Sequence, residues 1–239
     1  DGTTGGQFNT NHDFIYMAIR RPNKPASGLE ATDLFSIATY TGDQTNTRQI
    51  PSGFPLDMFI VSPRDNASQR IIARMMGVGT ATPNLNTSSA GDQSFAVYSN
   101  LRMDTWQTGN GSVRWVNTDQ QPYVSWMWKR QPGFMDVVIY NGSDASNPIS
   151  HNLGVAPELI ITKEYAHVWD WHVWGSVLGD NKYLNLNLNN AATDYTFNTT
   201  VTDKTFMSGI SSSGQPTAAY LFASVPGVCS IGSYTGTGG

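Results

Sequence analysis

The densest run of side chains able to do chemistry is Tyr165-Ala166-His167-Val168-Trp169-Asp170-Trp171-His172-Val173-Trp174. Extended, the segment alternates its side chains, placing Tyr165, His167, Trp169 and Trp171 on one face and Asp170, His172 and Trp174 on the other. Three readings fit. Aromatic faces beside an Asp stack on sugar rings, which makes Tyr165, His167, Trp169, Asp170, Trp171, His172 and Trp174 the candidate glycan contacts. His167 and His172 offer two nitrogen ligands, fewer than the convergent set zinc takes, so no metal site is assigned. The third reading is a strand-turn-strand with its tryptophans in the core and its histidines at the surface.

Hydrolysis of a glycosidic bond needs two carboxyl groups roughly 5 to 10 Å apart. The chain has only three glutamates, Glu30, Glu158 and Glu164. Glu158 stands where Asp57 stands in another copy of a repeated segment, so a role in the turn before a strand accounts for it. Gly209-Ile210-Ser211-Ser212-Ser213-Gly214 misses the nucleophile-elbow spacing, its second glycine falling one residue late. Gly77-Val78-Gly79-Thr80-Ala81-Thr82 lacks the third glycine of a dinucleotide loop. Gly42-Asp43-Gln44-Thr45-Asn46 and Gly142-Ser143-Asp144-Ala145-Ser146-Asn147 carry too few carboxylates for a dedicated Ca²⁺ site. The sequons at Asn66-Ala67-Ser68 and Asn198-Thr199-Thr200 are expected by chance in so Asn- and Thr-rich a chain. Cys229 occupies the place of Phe35 and Met135 in the other copies, which favours a packed small hydrophobe over a reactive thiol. No catalytic residue and no cofactor is assigned.

The elements that must position these side chains repeat along the chain. An aromatic-rich strand runs into proline three times, as Tyr16 to Pro22, Trp126 to Pro132 and Tyr220 to Pro226. A strand ending in a Tyr-x-Gly turn follows each, as Phe35 to Gly42, Met135 to Gly142 and Cys229 to Gly236. A Gly/Pro turn, an acid and an apolar run recur as Ile50 to Val61 and Ile149 to Ile161. Arg20-Arg21 and Lys129-Arg130 flank the proline in two copies where the third has Ser224-Val225, so that charge is a local contact or a solvated turn. Leu alternates with Asn from Tyr183 to Asn189, the period of a half-buried strand; Pro83-Asn84-Leu85-Asn86 is its shorter counterpart. Gln69 to Met76 has room for two helical turns, and Ala90 to Asn100 is mixed.

The expected fold is all-β, with tandem antiparallel β-sandwich-like repeats and little helix. Residues 1–34 supply the last strand of a preceding unit plus a linker, 35–133 and 134–228 form two repeats, and 229–239 supply the first strand of a following unit. The flanks must pair with each other or with neighbouring units, or leave open edges. The opening at Asp1 and the abrupt end at Gly239 read as a processed product or a segment of a longer polypeptide.

Composition bounds the partners. Of 239 residues only 13% are charged, about half the roughly 25% usual in soluble domains, so the polar surface is hydroxyl and amide rather than ionic. A net charge of -4 with no basic patch argues against nucleic acid as a partner. No run approaches the ~20 apolar residues of a spanning helix, so no membrane insertion is expected. One cysteine cannot make an internal disulfide, and the fold must stand on packing.

The strings Tyr16 to Pro22, Gly53 to Asp57, Trp128 to Val138, Ile149 to Gly154 and Tyr220 to Ser224 resemble repeat domains of large virion and tail-fibre-like proteins of tailed bacteriophages, notably marine ones. The resemblance runs from about Asp13 to the last residue. It implies a non-enzymatic structural and adhesive module of a phage appendage, with other virion proteins or copies of itself as partners, a homo-oligomer with a trimer favoured, and host-surface carbohydrate as the candidate contact. It places the chain in the virion and outside the cell. The alternatives are a surface-polysaccharide depolymerase and a subunit of a cellular extracellular filament or adhesin. Cys229 and the His/Trp-rich segment near His167 depart from the repeat pattern.

Overall fold

A computed structural model describes residues 13–19, 28–64, 69–76, 83, 85, 87–88, 98–108, 116–142, 147–179, 181–194, 200–207 and 214–235. Arg20-Arg21, Asn66-Ala67-Ser68, Gly77 to Thr82, Asn84, Asn86, Ala90 to Phe95, Ser143 to Ser146, Asn198-Thr199 and Gly209 to Ser213 lie outside the described residues. The fold is all-β and antiparallel, and its helical elements with bounds among the described residues are short 3-10 turns such as Arg74–Met76 and Ser176–Leu178.

The two repeats build the same sheet. In the first, β2 (Phe35–Thr41), β8 (Pro122–Trp128), β4 (Met58–Pro63) and β5 (Arg70–Ala73) lie side by side in that order. In the second, β9 (Met135–Asn141), β16 (Pro216–Phe222), β11 (Leu159–Glu164) and β12 (His172–Gly175) lie in the same order, continued by β13 (Lys182–Asn185) and β14 (Thr193–Asp194). Register repeats too: Phe35 faces Trp128 as Met135 faces Phe222, and Met58 faces Trp128 as Leu159 faces Phe222. A small outer sheet accompanies each. Ile50 on β3 (Gln49–Pro51) faces Trp106 on β7 (Thr105–Thr108), which also pairs with β6 (Tyr98–Leu101). Ile149 on β10 (Ile149–Ser150) likewise faces Phe206 on β15 (Thr205–Phe206).

The flanks pair with each other. β1 (Asp13–Ile19) and β17 (Cys229–Thr235) form a seven-residue antiparallel ladder in which the first residue of β17, Cys229, faces the last of β1, Ile19, as Phe35 faces Trp128 and Met135 faces Phe222 at the strand ends of the complete units. Copies of the β8/β16 and β2/β9 strands thus form a third, shorter sheet.

Proline and glycine set the links. In Gln131-Pro132-Gly133-Phe134 and Val225-Pro226-Gly227-Val228 the fourth N–H donates to the first carbonyl, with Gly133 and Gly227 at φ of 80° and 82°. Proline fixes the first central residue of a type II turn, and the second needs positive φ.

The inner strands β4, β11 and β16 are buried on both faces, which explains their nearly unbroken apolar runs. Along β16, Ala218, Tyr220 and Phe222 enter a central cluster with Met58, Trp128, Met135, Leu159, Trp171 and Cys229, residues drawn from all three sheets. The alternate residues Ala219 and Leu221 enter a separate cluster with Ile149, Leu153 and Phe206. The first repeat has its counterpart around Phe59, Trp106, Tyr123 and Met127.

Two local expectations are corrected. Gln69 to Met76 is strand β5 running into one 3-10 turn, because Ile71 faces the central cluster and Ile72 the outer one, a demand of period two. Ala90 to Asn100, where described, ends in strand β6. The Leu/Asn alternation stops at Asn185: Leu186 and Leu188 are exposed in a turn, which Asn187 shapes by hydrogen bonding back to Asp170 and Trp171.

Candidate functional site

The aromatic segment is not one extended strand. β11 ends at Glu164, residues 165–171 turn, and β12 begins at His172. A buried lysine causes this. Lys163 is wholly inaccessible, and its ammonium donates to the carbonyls of Ser88 (3.0 Å), His167 (3.2 Å) and Trp169, gathering the loop around one cation. An extended strand would carry Trp169 about 20 Å from Lys163, at ~3.3 Å per residue, out of reach of the ammonium. Burial pushes the Lys163 ammonium down to about 8, against the pull of the Glu164 and Asp170 carboxylates, so it remains mostly charged at neutral pH.

Trp169 is held at both ends of its backbone, its N–H donating to Ser88 O at 2.8 Å and its carbonyl taking the lysine. Its ring is left 46% exposed beside Val168, 70% exposed. Next along, Asp170 Oδ1 accepts from Asn187 Nδ2 at 2.8 Å, and Asn187 Oδ1 accepts the Trp171 N–H at 2.8 Å. His172 on β12 faces Asn185 on β13, and alternation puts Tyr183 on the same face. The Tyr183 and His172 rings meet edge to face at 5.0 Å. Burial pushes the His172 imidazole down to about 4, more than the Asp170 carboxylate raises it, so the ring is neutral at pH 7.

These residues line an open cleft of about 320 Å³, walled by Trp169, Asp170, His172, Tyr183 and Asn185 with Ser88 and Val168 at its rim. The Asn185 Oδ1 atom is buried with no hydrogen-bond partner among the described residues. The cleft therefore offers an aromatic face, a carboxylate and a neutral imidazole.

Of the seven candidates, the cleft gathers Trp169, Asp170 and His172. Trp171 is fully buried in the central cluster near Tyr220 and has no face to give a ligand. Tyr165 packs against the same cluster and Trp174 against the second repeat's outer one, while His167 is exposed on the loop. Of the two candidate histidines His167 is the one at the surface; His172 is 8% exposed. Among the described residues no three His, Cys, Asp or Glu side chains come together as metal ligands.

Sequence reading takes Tyr183, Asn185 and Asn187 only as part of a half-buried strand and does not single out Lys163. Lys163 had a signal: the register that pairs Met58 with Leu159 aligns it with Ser62, a charge where the other copy has none.

The other acids are engaged in the scaffold. Glu158 accepts the Ser224 N–H and hydroxyl, and Asp57 accepts the Arg130 N–H at the equivalent place. Asp136 binds the Arg130 guanidinium and accepts the Asn152 N–H. Glu164 is buried at the end of β11 and does not line the cleft.

No curated protein and no solved structure matches the chain. Residues 30–239 match the Domain of unknown function (DUF7483), and on that extent the chain belongs to the DUF7483 family.

Proposed function

We propose that this chain is a non-enzymatic structural and adhesive module, built to assemble in a phage virion appendage such as a tail fibre and to contact host-surface carbohydrate through the Trp169 cleft. The carrying observation is that the cleft presents an exposed indole, held rigid through its own backbone, and that among the described residues Asp170 is the one carboxylate lining it. Stacking needs the ring; glycoside cleavage needs a second carboxyl group. Glu158 and Asp136 are tied to backbone N–H groups elsewhere, which supports binding over depolymerisation.

The phage setting follows from the repeat resemblance and is supported by the self-closing repeat, which packs three sheets around one shared core. β8 and β16 each have strand partners on both edges, whereas β1 among the described residues pairs only with β17. That edge gives a symmetric homo-oligomer, a trimer in the favoured form, something to cover. Electron microscopy of native particles labelled with an antibody to this chain tests the reading. Label along an appendage supports it, and label confined to cell-surface filaments favours the adhesin of a cell. Light scattering tests the assembly, since a monomer at all concentrations removes the trimer.

A further inference from the structure

We infer that the open edge of β1 and the bare inner face of β2 together receive a strand-turn-strand segment from a neighbouring polypeptide, of the kind that β4–β5 and β11–β12 supply within the chain. This goes beyond the reading above and needs neither its carbohydrate nor its cleft. In each complete unit the aromatic strand is an inner one: β8 lies between β2 and β4, and β16 between β9 and β11. β1 holds the same place, because Ile19 faces Cys229 as Trp128 faces Phe35, and Met17 and Ile231 pack into the central cluster. Among the described residues, however, β1 pairs with β17 alone. Its seven residues include neither the proline nor the lysine that commonly blunts an edge. The β5 edge, by contrast, is closed: the Ile71 N–H donates to the Pro83 carbonyl at 3.3 Å, and the Leu85 N–H to the Gln69 carbonyl at 3.1 Å.

Burial on the inner faces points to the same place. Ile37, Val137 and Ile231 are register equivalents, opposite Trp126, Tyr220 and Met17. Val137 is 1% exposed and Ile231 9%, yet Ile37 is 56% exposed. The end of the preceding unit covers Val137. The 3-10 turn after β5 lies against β9, and its Met76 joins Val137 in the central cluster, where the Tyr220 hydroxyl donates to Met76 Sδ at 3.7 Å. β2 opens the first unit, and the unit before it consists, among the described residues, of β1 and β17. One segment built like β4, β5 and their turn would pair with β1 and cover Ile37.

The internal copies specify that segment. Each begins with a six-residue strand entered through proline and an acid, Pro55-Leu56-Asp57 before β4 and Pro157-Glu158 before β11. Met58 faces Trp128 and Leu159 faces Phe222, so the incoming strand starts opposite Ile19 and runs antiparallel to β1 as far as Phe14. Its first and third residues are apolar, as Met58 and Ile60 or Leu159 and Ile161 are, and enter the central cluster. Backbone bonds to the edge give such strand addition its affinity, and alternate side chains give it specificity.

Dye-labelled peptides of residues 55–76 and 156–178, titrated against the full chain by fluorescence anisotropy with hydrogen exchange read on the complex, test this. At least one is expected to bind saturably and slow exchange over residues 14–19, while scrambled peptides do not bind. Ile37→Asp is expected to weaken binding at least about tenfold, and Leu188→Ala, in an exposed turn of the other repeat, to leave it unchanged. Unfolding curves check that Ile37→Asp folds, and Ile37→Ser replaces it if it does not. Failure of both peptides to bind overturns the inference, as does binding that leaves exchange over 14–19 unchanged or is indifferent to Ile37. Self-association that slows exchange over 14–19 without peptide shows a second copy on the edge, which overturns the inference and leaves the oligomer reading standing.

Discussion

Glu158 grips Ser224 with both carboxylate oxygens, Oε1 accepting the backbone N–H at 2.9 Å and Oε2 the hydroxyl at 2.7 Å. The first bond belongs to the repeat. Asp57 Oδ2 accepts the Arg130 N–H at 2.8 Å, and Arg130 and Ser224 each lie two residues beyond the end of their strand, β8 or β16. The acid in the turn before one strand thus fastens the exit of its neighbour. Only the second repeat adds the hydroxyl bond, and Ser224 Oγ in turn accepts the Ile231 N–H at 3.0 Å, extending the link to β17.

Glu158→Ala removes two charge-assisted bonds and leaves a mostly buried N–H unpaired, a loss of about 3 kcal/mol. Glu158→Gln keeps an acceptor for that N–H and is expected to cost about 1 kcal/mol. Urea unfolding monitored by tryptophan fluorescence reads both; equal stability of wild type and Glu158→Ala would remove Glu158 from the scaffold and reopen it as a candidate acid.

The repeat was legible because its signals are local and chemically obligatory: Pro132 and Pro226 fix φ, Gly133 and Gly227 admit the positive φ that other residues avoid, and two-faced burial leaves apolar runs such as Ala218 to Ala223. The cleft was half legible. Trp169, Asp170 and His172 stood out by type, but the face each takes depends on Lys163, whose partners Ser88 and Trp169 lie 75 and 6 residues away. Strict alternation placed Trp169 and Trp171 together, and the loop separates them, one at the surface and one in the core. Asn187 defeats the Leu/Asn ladder in the same way, since an amide that bonds to Asp170 and the Trp171 N–H turns the chain out of the strand.

Two glycines separate backbone strain from steric exclusion. Gly133 has φ of 80° with nothing within 4 Å of a built Cβ, so Gly133→Ala costs only the left-handed conformation, about 1 to 2 kcal/mol. Gly42 has no positive-φ demand, yet a Cβ there would lie 1.8 Å from the Thr118 carbonyl oxygen, so backbone must move. Gly42→Ala is expected to cost more than Gly133→Ala, by thermal unfolding of the two variants side by side. The reverse order would mean that the turn at Thr118 yields freely.

His172 makes stability depend on pH. Burial holds its imidazole at about 4 in the folded chain against an ordinary 6.5, so between those values the unfolded chain binds more protons. Its contribution is full above pH 6.5 and is lost as pH falls towards 4, to a total of about 3 kcal/mol. Carboxylates titrate in the same range, so the reading is a difference: His172→Gln should lose less stability than wild type between pH 7 and pH 4.5. Parallel pH profiles for the two proteins would show that the ring is hydrated in the folded state.

Cys229 reports on the closure between the flanks. It faces Ile19 across the β1–β17 ladder, is 5% exposed in the central cluster, and burial pushes its thiol up to about 12, with the Glu158 charge adding to the shift. A thiol that is both covered and protonated reacts slowly with disulfide reagents, which need the thiolate. Labelling of the native chain therefore requires the ladder to open, and its rate measures that opening. Met17→Asp, at a side chain that packs against the central cluster from β1, should loosen the ladder and speed labelling while the β9–β16 sheet stays folded by circular dichroism. Fast labelling of the unaltered chain would mean that β1 is not seated on β17 in solution, and the shared core would then be closed by two sheets instead of three.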